Sequence, residues 1–349
     1  MKIKDMKTPQ WIYNRCSKYL ARHVFNDAHI YTDGQISSTA TNITESWRFP
    51  IVECIFDDTK ENKGYDINEV TFIWCDYSKA SDNLMVELFG TFNKLYEPIL
   101  LQRVEQSMYY AATIEVPKGE VHYYKFRVNG QILLDPINPQ RHIDSGNEEW
   151  SRFFTENCNI PITLEKWERD LLDRICNHIL PFRTEDGQRF IKNYYQLLDS
   201  DERRAVAKLD ESVGAVNYID KVLGREESHF LGNYKTCLAI IDRILRNRNS
   251  FVEPSEQEAE AFKTLYDQMM NNNVSDWEFQ NYGNPRHFIE LLRRHTFTGA
   301  FCHPKYGGNI GAAGWEYLSE RFKDEEGNTL FNWKAAIEKP LGIEQEYHA

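Results

Sequence analysis

The chain has 349 residues, which is long enough for two domains with sizeable hydrophobic cores. Its 41 Lys and Arg stand against 53 Asp and Glu, and the resulting formal charge of −12 disfavours nucleic-acid and anionic-membrane partners because their phosphates are repelled. No apolar run reaches the roughly 18 residues that a transmembrane helix needs, so we expect none.

The N-terminus and the cysteines together indicate a cytoplasmic protein. Residues 1–10 are charged and lack the apolar core of a secretory signal. The 7 cysteines are scattered along the chain and odd in number, which is typical of reduced thiols rather than of a disulfide framework.

A short helix and a linker are predicted before the first domain. Over residues 10–26, apolar side chains recur at helical spacing, namely Trp11, Ile12, Cys16, Tyr19, Leu20 and Val24. The stretch from Asp33 to Ser46 is polar and rich in Gly, Ser and Thr, as linkers and surface loops are. We assign residues 1–46 to this helix and linker.

Residues 47–157 show the short alternating runs of β-strands. The runs are 51–56, 70–74, 84–89, 109–116 and 121–128, and turn residues separate them. The dipeptide Asn129-Gly130 is a strong hairpin signal because both residues tolerate a positive φ. About seven strands over this length predict an immunoglobulin-like β-sandwich.

This segment resembles the glycogen-binding module that occurs in AMP-activated kinase β subunits and beside starch-branching and debranching enzymes. The resemblance rests on Val86-Glu-Leu-Phe-Gly-Thr-Phe-Asn93, Tyr124-Lys-Phe-Arg-Val-Asn-Gly130 and Asp135-Pro-Ile-Asn-Pro139. It implies Lys125 and Asn147 as candidate carbohydrate contacts. However, Leu95 and Ile132 stand where two tryptophans of the module stack on sugar rings, and an aliphatic side chain offers no flat π surface. We therefore expect no retention on starch, and glucan binding remains the alternative function.

From residue 158 to 349 the pattern predicts an all-α domain. An apolar face spans 164–180, with Thr163 as the predicted N-cap and Pro181 as the stop. Further helices are predicted at 187–198, 200–209, 214–223, 229–247 and 255–272. The last of these begins with a predicted capping box formed by Ser255 and Glu258.

One more helix and a tail complete this domain. Asn284 is the predicted N-cap of the helix, Pro285 occupies its first turn, and Arg293, Arg294 and His295 are placed near its end, where positive charge suits the helix dipole. Residues 323–349 are predicted to be a loosely structured tail with four candidate anchors, Leu330, Phe331, Trp333 and Leu341.

The stretch from His295 to Trp315 contains five glycines and is predicted to be a loop. The order of its residues resembles the signature of the gluconate 2-dehydrogenase subunit 3 family, carried by Thr298, Gly299, Phe301, Pro304, Tyr306, Gly307, Gly308, Asn309, Gly314 and Trp315. The run from Ile175 to Pro181 is a further likeness. Two departures are His303, where an Asp usually precedes the proline, and Leu318-Ser-Glu-Arg-Phe322, which replaces a Gly-Phe-Pro-Gly-like ending.

This resemblance implies a small subunit that accompanies a flavin-dependent dehydrogenase of the glucose–methanol–choline class acting on sugars or polyols. In that family the FAD and the catalytic histidines belong to the large subunit, so no cofactor is expected in this chain. The expected partner is the large subunit, contacted through Phe301, His303, Pro304, Tyr306, Gly307, Gly308, Asn309 and Trp315.

Two interpretations of this stretch stay open. Glycines let a backbone approach its neighbour closely, and Tyr306 and Trp315 are residue types enriched in interface hot spots. The stretch therefore either contacts a partner or folds onto the helices of its own chain. Both interpretations require Tyr306 and Trp315 to be at least partly buried.

No catalytic, cofactor or metal motif emerges from the residues themselves. Gly308-Asn-Ile-Gly-Ala-Ala-Gly314 has neither the spacing nor the preceding strand of a dinucleotide-binding loop. His295, Cys302 and His303 lack a fourth metal ligand at a suitable spacing, and we interpret them as a surface histidine, a buried thiol and a turn histidine. The overall prediction is a β-sandwich followed by an all-α domain, in a non-catalytic accessory subunit.

Overall fold

A computed structural model describes residues 1–20, 45–54, 67–77, 84–94, 97–198 and 213–331. The described residues form two compact units, the first ending at Thr155 and the second beginning at Glu156. The first unit is built mainly of β-sheet and the second is helical, so the predicted order of a β part followed by an α part is confirmed. No helix among the described residues is long and apolar enough to cross a membrane.

The strands of the described part all lie in the first unit. They are β1 (Lys2–Lys4), β2 (Ile51–Cys54), β3 (Ile67–Cys75), β4 (Val86–Gly90), β5 (Ile99–Leu100), β6 (Gln102–Arg103), β7 (Tyr109–Pro117), β8 (Val121–Val128), β9 (Gln131–Leu133), β10 (Arg141–Ile143) and β11 (Glu149–Phe154). One antiparallel sheet has the order β1-β7-β3-β2, with β6 also paired to β7. The other has the order β10-β11-β8-β4-β5, with β9 paired to β8.

The hairpin predicted at Asn129-Gly130 is confirmed. β8 and β9 pair across it, with Val128 opposite Gln131. Asn129 has φ 48° and Gly130 has φ 86°, so both turn residues adopt the left-handed conformation that a two-residue hairpin requires.

Aromatic side chains from both sheets fill one common core. Phe72 of β3 lies edge-on to Tyr124 of β8 at 5.0 Å and to Phe153 of β11 at 5.5 Å between ring centroids. The next residue of β3, Ile73, points to the opposite face and packs in a second cluster with Trp11 and Ile12. β3 is therefore buried on both faces over most of its length, which agrees with the apolar run Phe72-Ile-Trp-Cys75 at its end.

The helices are α1 in the first unit and seven more among the described residues of the second. Their bounds are α1 (Pro9–Tyr19), α2 (Lys166–Ile179), α3 (Glu185–Leu197), α4 (Ala215–Leu223), α5 (Leu231–Arg248), α6 (Ala259–Met270), α7 (Pro285–Phe301) and α8 (Ala313–Arg321). The helices predicted at 164–180, 187–198, 214–223, 229–247 and 255–272 are confirmed to within four residues at their ends. The helix predicted over 10–26 begins at Pro9 and ends at Tyr19, and residues 21–26 lie outside the described residues, as does the helix predicted at 200–209.

Two predicted helix caps are wrong. The N-cap of α2 is Glu165, whose backbone N–H donates to Glu168 Oε2 at 2.8 Å, whereas Thr163 binds Asp220. Ser255 lies in a separate 3-10 turn, Pro254–Glu256, and α6 begins at Ala259 without a side-chain cap bond. In both places a tertiary contact or a short turn displaces the start of the helix by a few residues.

The end of α7 was also placed wrongly. The helix continues to Phe301, so 295–301 is not a loop, and Arg293, Arg294 and His295 lie within the helix rather than at its C-terminus. In the tail, Leu330 is 71% exposed and does not act as an anchor, whereas Phe331 is half-buried. Trp333 and Leu341 lie outside the described residues.

Candidate functional site

Residues 302–314, which we call the glycine-rich segment, connect α7 to α8. The segment contains two 3-10 turns, Pro304–Tyr306 and Ile310–Ala312. Gly307 has φ 94°, Asn309 has φ 46°, Gly311 has φ 61° and Ala312 has φ 59°, so four residues of the segment lie in the left-handed region. Glycine and asparagine are the residues that tolerate this conformation best, which explains their presence here.

Two glycines bring the segment into direct contact with the last turns of α7. A Cβ atom on Gly308 would lie 2.1 Å from the carbonyl oxygen of Gly299. A Cβ atom on Gly314 would lie 1.9 Å from the carbonyl oxygen of Ala300. No side chain fits at either distance, so the packing of the segment on α7 requires glycine at both positions.

The Asn309 side chain stabilises this packing through two hydrogen bonds. Its side chain is fully buried, Nδ2 donates to the carbonyl oxygen of Cys302 at 2.8 Å, and Oδ1 accepts from the backbone N–H of Gly314 at 2.7 Å. The amide thus bridges the two ends of the glycine-rich segment and satisfies backbone groups that have no helical partner.

A buried polar cluster in α4 is hydrogen-bonded to the glycine-rich segment. Asn217 Nδ2 donates to the carbonyl oxygen of Gly307 at 2.7 Å and to that of Cys158 at 2.8 Å. Lys221 Nζ donates to the carbonyl oxygen of Ile160 at 2.7 Å, to Asn217 Oδ1 at 3.2 Å and to Asp220 Oδ2 at 3.0 Å. Asn217 therefore ties the glycine-rich segment to the chain that leads into α2.

Asp220 completes the cluster. Its carboxylate accepts hydrogen bonds from three consecutive backbone N–H groups, those of Ile162 at 2.7 Å and of Thr163 and Leu164 at 2.8 Å each. Burial raises the pKa of Asp220, but the Lys221 charge and these hydrogen bonds outweigh it, so the pKa lies below its ordinary value.

The sequence analysis missed this cluster. Every residue of α4 is buried, including Asn217, Asp220 and Lys221 at positions i, i+3 and i+4. A signal for it is present in the sequence. Three polar residues fall on one face of an otherwise apolar helix, and such a face either meets solvent or is buried with its polar groups hydrogen-bonded.

The partly exposed aromatic side chains beside the segment are Phe297, Phe301, His303, Tyr306 and Trp315, which we call the aromatic edge. Within it, Phe297 and Phe301 are nearly parallel with centroids 6.4 Å apart, and the His303 ring lies 5.7 Å from that of Trp315. Trp315 Nε1 donates to the carbonyl oxygen of Phe301 at 2.6 Å. The expectation that Tyr306 and Trp315 are partly buried is confirmed.

The predicted contact residues thus separate into two groups. Phe301, His303, Pro304, Tyr306 and Trp315 are half-buried and keep some accessible surface. Gly307, Gly308 and Asn309 are buried within the helical unit and have contacts within it. Phe297, which the sequence analysis did not select, is 40% exposed.

The interpretation of His295 as a surface histidine is wrong. His295 is 1% exposed, its Nδ1 lies 2.8 Å from the hydroxyl of Tyr234, and its Nε2 lies 2.8 Å from Glu227 Oε2. Burial lowers the pKa of His295, and the neighbouring Glu227 opposes this only in part.

Cys302 and His303 are placed close to expectation. Burial raises the pKa of the Cys302 thiol to about 12, so it is protonated at neutral pH. His303 Nδ1 accepts from the backbone N–H of Lys305 at 3.2 Å, as befits a turn histidine. In the described part of the chain, no three His, Cys, Asp or Glu side chains are grouped so as to hold a metal ion.

The two candidate carbohydrate contacts lie in the β unit. Lys125 is 6% exposed, is paired with Glu148, and has its Nζ 4.4 Å from the ring centroid of Trp150. Asn147 is exposed in the turn before β11, with φ 61°. Ile132 is 56% exposed, and Leu95 lies outside the described residues.

Among curated protein sequences, none matches this chain. Solved structures that share a short region include enterochelin esterase from Shigella flexneri, at 16% identity over 28% of this chain and 32% of that chain with a TM-score of 0.25. Ferric enterobactin esterase from Salmonella typhimurium overlaps at 14% identity over 30% of this chain and 34% of that chain, with a TM-score of 0.26. The chain thus spans about a third of the length of these esterases, and likenesses at this level support no inference.

A family model matches the helical unit. It covers residues 166–319, which is less than half of the chain but includes α2, α4, α7, the glycine-rich segment and most of α8. The helical unit is therefore similar, over this range, to gluconate 2-dehydrogenase subunit 3, a subunit of a multi-subunit dehydrogenase.

Proposed function

We propose that this chain is a non-catalytic accessory subunit of a FAD-dependent sugar dehydrogenase complex, and that it binds and stabilises the flavin-carrying large subunit. The observation that carries the proposal is the family match over residues 166–319, which contains both the glycine-rich segment and the aromatic edge. The match supports the coarser part, a subunit of a dehydrogenase complex. The flavin and the sugar are the parts that we propose.

The buried and the accessible residues of this region have different roles in the proposed complex. Gly307, Gly308 and Asn309 act from within, since their contacts fix the path of the backbone. The aromatic edge and Pro304 offer their accessible surface to the partner. Histidine, tyrosine and tryptophan rings held rigidly by their own chain lose little conformational entropy on binding, which favours affinity.

The chemistry is assigned to the partner. In the proposed complex, the large subunit would hold the FAD, which would accept hydride from the carbon atom that bears a sugar hydroxyl group; loss of the hydroxyl proton to a base of that subunit would leave a carbonyl group. This chain contributes binding and order. The protonated Cys302 thiol and the engaged His295 ring are consistent with a supporting role for the residues near the segment.

Co-expression with a candidate large subunit tests this proposal. We expect the two chains to elute together from a sizing column, with flavin absorbance in the same peak. Separate elution would contradict the proposal, as would oxidation of sugars by the purified chain alone in the presence of an added dye.

A second candidate function is glucan binding by the β unit, proposed here as an immunoglobulin-like module of the glycogen-binding type. One observation favours it, namely a group of aromatic rings on the β unit. Lys125 Nζ lies over the Trp150 ring, and the Trp150 and Phe89 ring centroids are 6.1 Å apart. The Tyr123 and His142 rings are stacked with centroids 4.2 Å apart. These half-buried rings supply aromatic surface that Leu95 and Ile132 do not.

Retention on insoluble starch decides this candidate. If the β unit binds glucan, the chain is retained and Trp150→Ala reduces the retained fraction. Elution of the unmodified chain in the wash, which the sequence predicts, would exclude the candidate.

We also propose a cytoplasmic location. Six cysteines of the described part carry free thiols: Cys16, Cys75, Cys158, Cys176, Cys237 and Cys302. Free thiols are typical of a reducing compartment.

A further inference from the structure

An open cleft of about 240 Å³ lies in the helical unit, on the side of α2 that meets the start of α6. Its wall includes Arg174 of α2 and Arg183 of the 3-10 turn that follows α2. Its floor includes Phe182 and Phe262, which are 2% and 3% exposed. The cleft thus combines an apolar base with two cationic side chains.

Neither arginine has a carboxylate partner among the described residues. Arg174 Nη2 donates to the carbonyl oxygen of Gln257 at 2.7 Å, and its guanidinium carbon lies 5.3 Å from the Phe262 ring centroid. Arg183 Nη1 lies 2.8 Å from His178 Nδ1. A guanidinium has five N–H donors, so each arginine retains donors for a further acceptor.

The described arginines of the helical unit differ in whether they have a carboxylate partner. Six other arginines of the unit are ion-paired to Asp or Glu, namely Arg225, Arg243, Arg246, Arg286, Arg294 and Arg321. In a chain of formal charge −12, acidic side chains are plentiful, so two guanidinium groups without one are left available to an anion from solution.

Three carboxylates near the cleft are already engaged, and one of them, Asp173, accepts from Asn177 Nδ2 at 2.7 Å. Glu260 and Asp267 of α6 both influence His178, and they lie 3.5 and 3.6 Å from Lys263 Nζ, which offsets their charge. Of the described residues that line the cleft, none bears a carboxylate.

We propose that this cleft binds a small organic anion. Its carboxylate or phosphate group contacts Arg174 and Arg183, and its apolar body occupies the cleft above the buried Phe182 and Phe262. The volume suits a molecule smaller than a typical drug-sized ligand. The site is distinct from the aromatic edge, and the inference does not depend on the proposed dehydrogenase partner.

Isothermal titration of the full-length chain with three probes of similar size tests the proposal. Benzoate and phenyl phosphate share an apolar ring and differ in the acidic group, and benzyl alcohol is the neutral counterpart. We expect saturable one-site binding of at least one anion, and the tighter one identifies the preferred acidic group. Benzyl alcohol is expected to bind at least tenfold more weakly, since it lacks the charge-assisted bonds.

Matched variants locate the binding. Arg183→Gln and Arg174→Gln are each expected to weaken binding by about tenfold, as the loss of one charge-assisted hydrogen bond does. Arg248→Gln is the control, because Arg248 is exposed, bonds Gln268 outside the cleft and changes the net charge equally. Unchanged circular dichroism shows that the variants fold. Absence of saturable binding by both anions, equal binding of benzyl alcohol, or equal weakening by Arg248→Gln would overturn the proposal.

Discussion

Gly308 occupies a position where the backbone of one segment touches the backbone of another. Its Cα lies against the carbonyl group of Gly299, and the space that a side chain would need is filled by that oxygen. The residue is buried, so the strain of a larger residue cannot be relieved by moving into solvent.

We predict that Gly308→Ala destabilises the helical unit by about 2 kcal/mol or more, as overpacking of a rigid interior does. Gly232→Ala is the matched control, since Gly232 is exposed at the start of α5 and nothing lies within 4 Å of the added methyl group. There we expect no loss, because alanine favours the helix. Urea unfolding followed by the helical circular dichroism signal compares the two, and equal stabilities would contradict the packing described.

Asp220 gives a pH-dependent prediction. Asp220→Asn removes the carboxylate partner of Lys221, whose side chain is fully buried, and we expect this to cost about 3 kcal/mol or more at neutral pH. Asp170→Asn is the control, because the Lys166–Asp170 pair is exposed and such pairs contribute about 1 kcal/mol or less.

The sign of the pH effect follows from the lowered pKa of Asp220. The unfolded chain binds a proton near its ordinary pKa of about 3.9, before the folded chain does. The stabilisation by Asp220 is therefore complete above that pH and is lost as the pH falls through the folded pKa. Urea unfolding over this acidic range should show a shrinking difference between the parent chain and Asp220→Asn. A difference that stays constant would contradict the assignment.

α7 shows which features of an element the sequence predicts. Its start was predicted correctly: Asn284 Oδ1 accepts from the backbone N–H of His287 at 3.1 Å, and Pro285 occupies the first turn. Caps are local signals, and the residues that form them are adjacent in the chain. Its end was predicted too early because Gly299 suggested a loop.

The reason for Gly299 lies in another helix. A Cβ atom there would come within 3.1 Å of the Ala215 Cα atom and closer still to Tyr218, so glycine permits α7 to pack closely on α4. That partner is remote in the sequence, and no local pattern reveals it. The same holds for Thr163, whose hydroxyl and backbone N–H are taken by Asp220 rather than by a helix end. Local capping and periodicity were thus predictable, whereas contacts between distant segments were not.

Two of the three predicted caps, Asn284 and Ser255, provide a direct comparison. We expect Asn284→Ala to destabilise the helical unit by about 1 kcal/mol, as the loss of an N-cap does. Ser255→Ala, at the position wrongly predicted to be a cap, should change stability by less than about 0.5 kcal/mol, because Ser255 makes no cap bond to α6. Urea unfolding measures both, and a larger loss at Ser255 would contradict the observed start of α6.

The molecule as a whole combines a β unit and a helical unit whose functions were predictable to different extents. The order of glycines and aromatics near the C-terminus was enough to indicate the family similarity that the model of residues 166–319 supports. The sequence did not reveal which of those residues are internal, since burial of Gly307, Gly308 and Asn309 depends on α4 and α7. It also did not reveal the Arg174 and Arg183 cleft, because its lining comes from four separate elements.

The account of the whole molecule predicts that a single charge on the aromatic edge separates the subunits. Phe297 is 40% exposed, so Phe297→Asp is tolerated by the fold but places a carboxylate in an apolar contact. Phe251→Asp is the control, because Phe251 is 97% exposed in the turn after α5 and lies outside the aromatic edge. Circular dichroism of both variants verifies that they fold.

The measurement that tests the central claim most directly is co-elution of this chain with the flavin-carrying large subunit, made with these two variants beside the parent chain. The account predicts that the parent chain and Phe251→Asp elute with the large subunit in one peak containing flavin, and that Phe297→Asp elutes alone. Elution of the parent chain apart from the flavoprotein, or retention of Phe297→Asp as complete as that of Phe251→Asp, would contradict it.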